Sequence, residues 1–197
     1  SESESRRYID ILKHGFSTIR HNPIIRTLAI DSVMVASAAY FVVWFYQPLM
    51  SNLGIPIMYF GLAHAGLLLS EILVSTHFHL LEKIIGSGKA YLQSSAILVS
   101  LVFLLAAVFP HPLTLTLLIV IGGGIGYTRA TYIASIANKH ISSSLRATTL
   151  SSIGMVRRLA LVVLNPLVGY VATSSFPLAL LLVSLFPLAS ILIKEET

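Results

Sequence analysis

The chain has 197 residues, of which 55% are hydrophobic and only 11% charged, with a formal net charge of +5. A soluble domain carries about 25% charged residues; here the few charges are separated by long apolar runs, which excludes a soluble globular protein and predicts an all-α integral membrane protein in the lipid bilayer. The absence of cysteine excludes disulfides, thiol catalysis and thiolate metal sites, and the basic residues form no patch interleaved with aromatics that would point to nucleic acid.

The SESES opening resembles linker, so the chain is expected to be a piece of something longer. Residues 1–26 are polar and basic: Ile9, Leu12, Phe16 and Ile19 recur at helical spacing between Arg6, Arg7, Lys13 and Arg20. Two readings stay open, an amphipathic helix on the cytoplasmic face or a partly ordered linker. Asn22-Pro23 then supplies a cap and a first-turn proline for the first span.

Residues 27–197 are expected to form a six-helix transmembrane half-domain. Its spans run about Thr27–Met50, Ile57–Leu80, Ala90–Phe109, Leu113–Asn138, Ala147–Ala172 and Leu178–Ile193. The connections after the first, third and fifth spans contain no Lys or Arg. Lys83, Lys89, Lys139, Arg146 and Lys194, with the basic N-terminal residues, fall on the other side. The excess of positive charge on one side predicts a multi-pass protein of the cell (inner) membrane with both termini cytoplasmic.

Charges inside the spans are confined to four of the six: Asp31 in the first, Glu71 in the second, Arg129 in the fourth, and Arg157 with Arg158 in the fifth. The third and sixth spans therefore read as lipid-facing, and the other four as surrounding something polar. A 3+3 inverted repeat would make the second and fifth spans correspond. At 1.5 Å per residue, Glu71 and Arg129 lie about 14 Å and Arg158 about 16 Å from the cytoplasmic ends of their spans. A charge near mid-depth is costly and faces a partner or a wet cavity. In the fifth span Ser151, Gly154, Arg158, Asn165 and Gly169 share one helical face, so Arg158 is placed on a small, polar stripe. Glu71 and Arg158 are expected to lie within direct or water-bridged contact, with Arg129 competing for the carboxylate. The alternatives are a substrate or coupling site and a buried ion pair that only holds helices together.

Asp31 sits about 6 Å inside the predicted boundary and points away from the stripe Ser37, Tyr40, Trp44, Gln47, so it reads as a gate or helix-packing contact. That stripe is either a stacking surface for a ligand or a set of interfacial anchors. His64 shares a face with Glu71 and is either a proton relay or a packed histidine. His77-x-His79 lacks further ligands for a metal. Gly122 and Gly126 form a small-xxx-small pair that permits close helix approach. No H-E-x-x-H or G-x-S-x-G motif is present, so nothing points to an enzyme, and nothing calls for a cofactor.

These residues carry a resemblance. Arg20-His21-Asn22-Pro23 with Trp44-Phe45-Tyr46-Gln47-Pro48, Gly54-Ile55-Pro56 with Phe60-Gly61, and Arg146-Ala147-Thr148-Thr149-Leu150-Ser151 followed by Arg158, Pro166 and Gly169 are similar to the seventh, eighth and eleventh helices of major facilitator superfamily transporters, in particular the proton-coupled, drug-efflux-like members of prokaryotes. From about Tyr8 to Ile193 the chain resembles the C-terminal half of that twelve-helix fold. The loop at Leu81–Lys89 departs from the family's gating motif: Glu82 stands for its acid and Lys89 for its basic end, but the acid-to-glycine spacing is one residue too long.

The resemblance implies alternating access. A missing N-terminal six-helix half would close the cavity, a small organic solute would move by efflux or antiport coupled to protons, and Asp31, Glu82, Lys89 and Arg146 would serve as gating residues. The substrate or coupling set would be Glu71, Arg158, Arg129, Arg157, His64, Tyr40, Trp44 and Gln47. The competing expectation is a non-transporting six-helix scaffold or assembly partner.

Overall fold

The computed structural model describes residues 10, 13, 16–141, 143 and 146–191. Arg6, Arg7, Ile9, Leu12, Leu145, Ile193 and Lys194 lie outside them; within the proposed N-terminal surface helix, residues 16–21 are helical. The described residues are helical apart from short connections, without strands. Five helices are long and apolar enough to cross a membrane: α1 (Pro23–Asn52), α2 (Ile57–Ile85), α3 (Gly88–Val108), α4 (Pro112–His140) and α5 (Arg146–Ser174). A shorter apolar helix, α6 (Phe176–Ile191), follows; its 16 residues rise about 24 Å. This is the build of a multi-pass membrane protein.

Local chemistry sets the boundaries. Asn22 accepts a hydrogen bond from the Ile25 amide at 3.2 Å, and Pro23 opens α1 where a missing N–H costs nothing. Ser87 caps α3 in the same way through the Ala90 amide. The breaks after α1 and α2 each need a left-handed residue, supplied by Gly54 (φ 69°) and Gly86 (φ 104°).

α1 and α4 form the centre. α2 packs along α4, α5 leans on α1 and α6, and α2 and α5 share no extensive interface. The four therefore make a row, α2–α4–α1–α5. Behind it α3 and α6 pack on each other along an extensive interface. The Ser100 hydroxyl donates to the Ser184 carbonyl across their interface at 2.6 Å. The third and sixth spans, read as lipid-facing, do expose outer apolar stripes such as Ile97, Leu101 and Leu104, but their inner faces (Ala96, Val99 and Phe103; Ala179, Leu180 and Val183) belong to the core. An uncharged helix in a bilayer packs as well as a charged one when its small and branched side chains interlock.

Glycines let the row close up. A Cβ on Gly126 would stand 2.6 Å from Cβ of Ala39, and one on Gly122 3.1 Å from Cγ2 of Val42, so this pair seats α4 on α1. Gly123 and Gly124 meet Leu67 and Ser70 of α2 on the next face. Wide π-helical turns occupy Ser32–Ala36 of α1 and Leu118–Ile125 of α4. Such turns shift the phase of the residues that follow.

Candidate functional site

Two faces of α4 divide the charged residues into separate groups. Gly122, Gly126, Arg129 and Ile133 lie on the face buried in the protein. Arg129 is 1% exposed and Asp31 4%. The guanidinium grips the carboxylate with both arms: Nε donates to Oδ2 at 2.8 Å and Nη2 to Oδ1 at 2.5 Å. Its remaining arm, Nη1, donates to the Leu92 carbonyl at 2.7 Å and to the Ser95 hydroxyl on α3. Every nitrogen is engaged, which is the condition under which a buried ion pair offsets its desolvation cost. The pair ties α1, α3 and α4 together.

Arg129 therefore does not compete for Glu71, as the sequence had suggested. The sequence count set Asp31 too shallow because it began the span at Thr27. The helix starts at Pro23, which puts Asp31 about 12 Å from its end and close to the depth of Arg129. Asp31 faces α4 while Tyr40 and Trp44 face elsewhere, the divergence that a straight helix already gives them, with a π turn at Ser32–Ala36 between.

What they face is a groove between α1 and α5, occupied by three adjoining cavities. The first, of about 100 Å³, lies among Ser32, Ala130, Ala134, Leu150, Gly154 and Arg157. The second, of about 200 Å³, is lined by Ala36, Tyr40, Tyr127, Arg157, Arg158 and Leu161. The third, of about 280 Å³, is lined by aromatic and apolar groups, among them Tyr40, Phe41, Trp44, Phe45 and Val168, with Asn165 as its amide. Arg157 is shared by the first two and Tyr40 by the last two. On α5 the groove takes two neighbouring stripes: Gly154, Arg158, Asn165 and Gly169, and beside it Leu150, Ile153, Arg157, Leu161 and Val168. Across the groove, Asn165 Nδ2 lies 3.5 Å from the Tyr40 hydroxyl.

The predicted polar stripe thus lines the groove, apart from Ser151, but Arg157 is the deeper arginine. Arg158 is exposed at the rim, whereas Arg157 is partly buried and its Nε makes no hydrogen bond among the described residues. A buried donor left unmade costs about 1–3 kcal/mol, and more when charged. No carboxylate lies within ion-pair distance of either arginine among the described residues.

Glu71 is half-buried on α2 and makes no ion pair among the described residues, so the expected Glu71–Arg158 contact is not formed. The physical reason is the row itself: α4 and α1 stand between α2 and α5. Tyr127, which sequence reasoning passed over, lines the second cavity and is in electrostatic range of Glu71, Tyr40 and Arg157. It was legible as one of Tyr127, Ala130 and Ala134, which recur at i, i+3 and i+7 on the side of α4 away from Arg129.

The other candidates lie apart from the arginines. The Tyr46 hydroxyl sits 3.3 Å from Nδ1 of His64 and accepts from Gln47 Nε2 at 3.0 Å, linking α1 to α2. Glu82 pairs with His79 at 3.7 Å, and its Oε1 and the Tyr132 hydroxyl both crowd Gly88, leaving 3.1 and 2.7 Å to the place a Cβ would take. Lys89 is exposed in the first turn of α3. Arg146 donates to the Asn138 carbonyl at 3.2 Å, joining the start of α5 to α4. No group of three or more metal-ligating side chains exists among the described residues.

Fold and groove together define a multi-pass helical membrane protein with a cationic, partly aromatic cleft at bilayer depth. Set against family models, curated proteins and solved structures, the chain matches none of them.

Proposed function

We propose that this chain is the C-terminal half of a secondary transporter of the major facilitator type, moving a small organic solute through the groove between α1 and α5 by alternating access. The observation that carries the reading is the groove itself: two arginines at bilayer depth with no acid to neutralise them among the described residues, in a cleft where their charge is costly unless a ligand meets it. The exposed wall fits a half-transporter. Only 11% of the most apolar stretch of α2 and 6% of that of α5 is buried, against 67% for α1, as expected if a second six-helix half covers the row α2–α4–α1–α5. An inverted repeat is supported by the matched roles of α2 on α4 and α5 on α1, with α3 and α6 paired behind.

Within this reading both termini are cytoplasmic, the membrane is the inner membrane, and Glu71, which makes no ion pair among the described residues, is the proton-coupling group. The test is transport by the twelve-helix protein in liposomes, with labelled benzoate, choline and glucose as anionic, cationic and neutral probes under an imposed proton gradient. At least one probe should move against its gradient. In Glu71→Gln that movement should lose its dependence on the proton gradient while probe exchange survives. Movement of none of the three favours a non-transporting scaffold, and unchanged coupling in Glu71→Gln removes the carboxylate from the mechanism.

A further inference from the structure

The shape and chemistry of the groove specify more than a small solute. Its two larger cavities differ in kind and meet at one residue, Tyr40. On one side are Arg157, Arg158 and the Tyr127 ring; on the other are Phe41, Trp44, Phe45 and Val168, with the Asn165 amide at the edge. We infer that the groove selects amphiphilic monoanions: an aryl or branched apolar body in the aromatic section, joined to a carboxylate held between Arg157 and Arg158. The inference rests on the transport reading and names its substrate class.

Three observations converge on it. Nε of Arg157 is buried without a hydrogen-bond partner among the described residues, which leaves a guanidinium edge for a carboxylate oxygen. The two arginines repel one another and find no carboxylate in ion-pair range among the described residues, so one negative charge between them relieves both. The aromatic cavity measures about 280 Å³, and an apolar cavity of roughly 150 Å³ already takes up benzene. A doubly charged or fully polar solute would leave that section unfilled, and a cation would meet the arginines. A neutral aryl compound would fill the aromatic section and leave the guanidinium edge unmade.

Trp44 lines the aromatic cavity and is the single tryptophan of the chain, so its fluorescence reports occupancy directly. The full chain is placed in phosphatidylcholine nanodiscs and titrated with 4-iodobenzoate, whose heavy atom quenches indole on contact, and with 4-iodobenzyl alcohol, its neutral counterpart. The expected result is saturable quenching at a concentration at least tenfold lower for the anion. Arg157→Gln and Arg158→Gln should each reduce that preference several-fold, and Arg158→Lys should retain part of it. Equal half-saturation for acid and alcohol in the unaltered chain overturns the inference without recourse to any variant. So does an undiminished preference in both glutamine variants with helix content intact.

A second arm uses nanodiscs containing phosphatidylglycerol. Unchanged 4-iodobenzoate quenching supports a soluble carboxylate, whereas its loss assigns the arginines to a lipid headgroup and overturns the solute. Absence of anion preference leaves transport to be judged by the choline and glucose probes. Anion preference in a protein that moves none of the three probes leaves the binding class standing and defeats the transport reading.

Discussion

Asp31 and Arg129 show how two charges read separately along the chain become one contact. Counted along straight helices the two fall at different depths; folded, they form a two-armed ion pair completed by the Leu92 carbonyl and Ser95. Removing one partner leaves the other buried and uncompensated, a loss of about 3–5 kcal/mol where such pairs have been broken. Asp31→Ala and Arg129→Ala are therefore each expected to lower the thermal unfolding midpoint in detergent sharply. The double variant Asp31→Leu/Arg129→Met, which removes both charges and keeps bulk, should recover most of the loss. A double variant as unstable as the sum of the singles would show that the two side chains act independently. Arg157 is the converse case: it has the same side chain, but no carboxylate meets it among the described residues, so its substitution is expected to change binding more than folding.

At the scale of helices, the sequence already contained the pattern that packs α4. Gly122, Gly126, Arg129 and Ile133 lie on one side and Tyr127, Ala130 and Ala134 on another, and the structure uses the first to meet α1 and the second to line the groove. What a straight-helix count could not supply was which neighbour each face meets, nor the π turns at Ser32–Ala36 and Leu118–Ile125. Glycine need is testable at single positions. In Gly126→Ala the new methyl would stand 2.6 Å from Ala39 Cβ, so α4 must retreat, an overpacking cost of about 1–3 kcal/mol. Ala39→Gly should rescue it. Gly154→Ala meets nothing within 4 Å and is expected to leave the unfolding midpoint unchanged or slightly raised, since alanine favours helix. Equal destabilisation by Gly126→Ala and Gly154→Ala would mean that backbone freedom, not close approach, is what these glycines provide.

For the whole molecule, the number of helices was legible because each is a long apolar run ended by Pro, Gly or a capping side chain. Their arrangement was not, because a bilayer-length helix looks alike whether its neighbour is protein or lipid; hence the inner faces of α3 and α6 came as a finding. Orientation rests on charge. The helices are joined by segments too short to cross the bilayer, at 53–56, 86–87, 109–111, 141–145 and 175, so successive spans must run in opposite directions. Segments 53–56 and 109–111 and residue 175 then share one side and contain no Lys or Arg, while Lys83, Lys89, Lys139 and Arg146 flank the other two. If the side flanked by Lys83, Lys89, Lys139 and Arg146 is cytoplasmic, single cysteines at Asn52, His111 and Ser175 should react with an impermeant maleimide applied to intact cells. One at Lys89 should react only after permeabilisation. The chain has no native cysteine to add background. Asn52, His111 and Lys89 are exposed, so silence at any of them reports sidedness and not burial; Ser175 is half-buried and should label more slowly. Labelling at Lys89 from outside with silence at Asn52 and His111 would invert the protein in the membrane, and labelling of all four would break the alternation that the short connections impose.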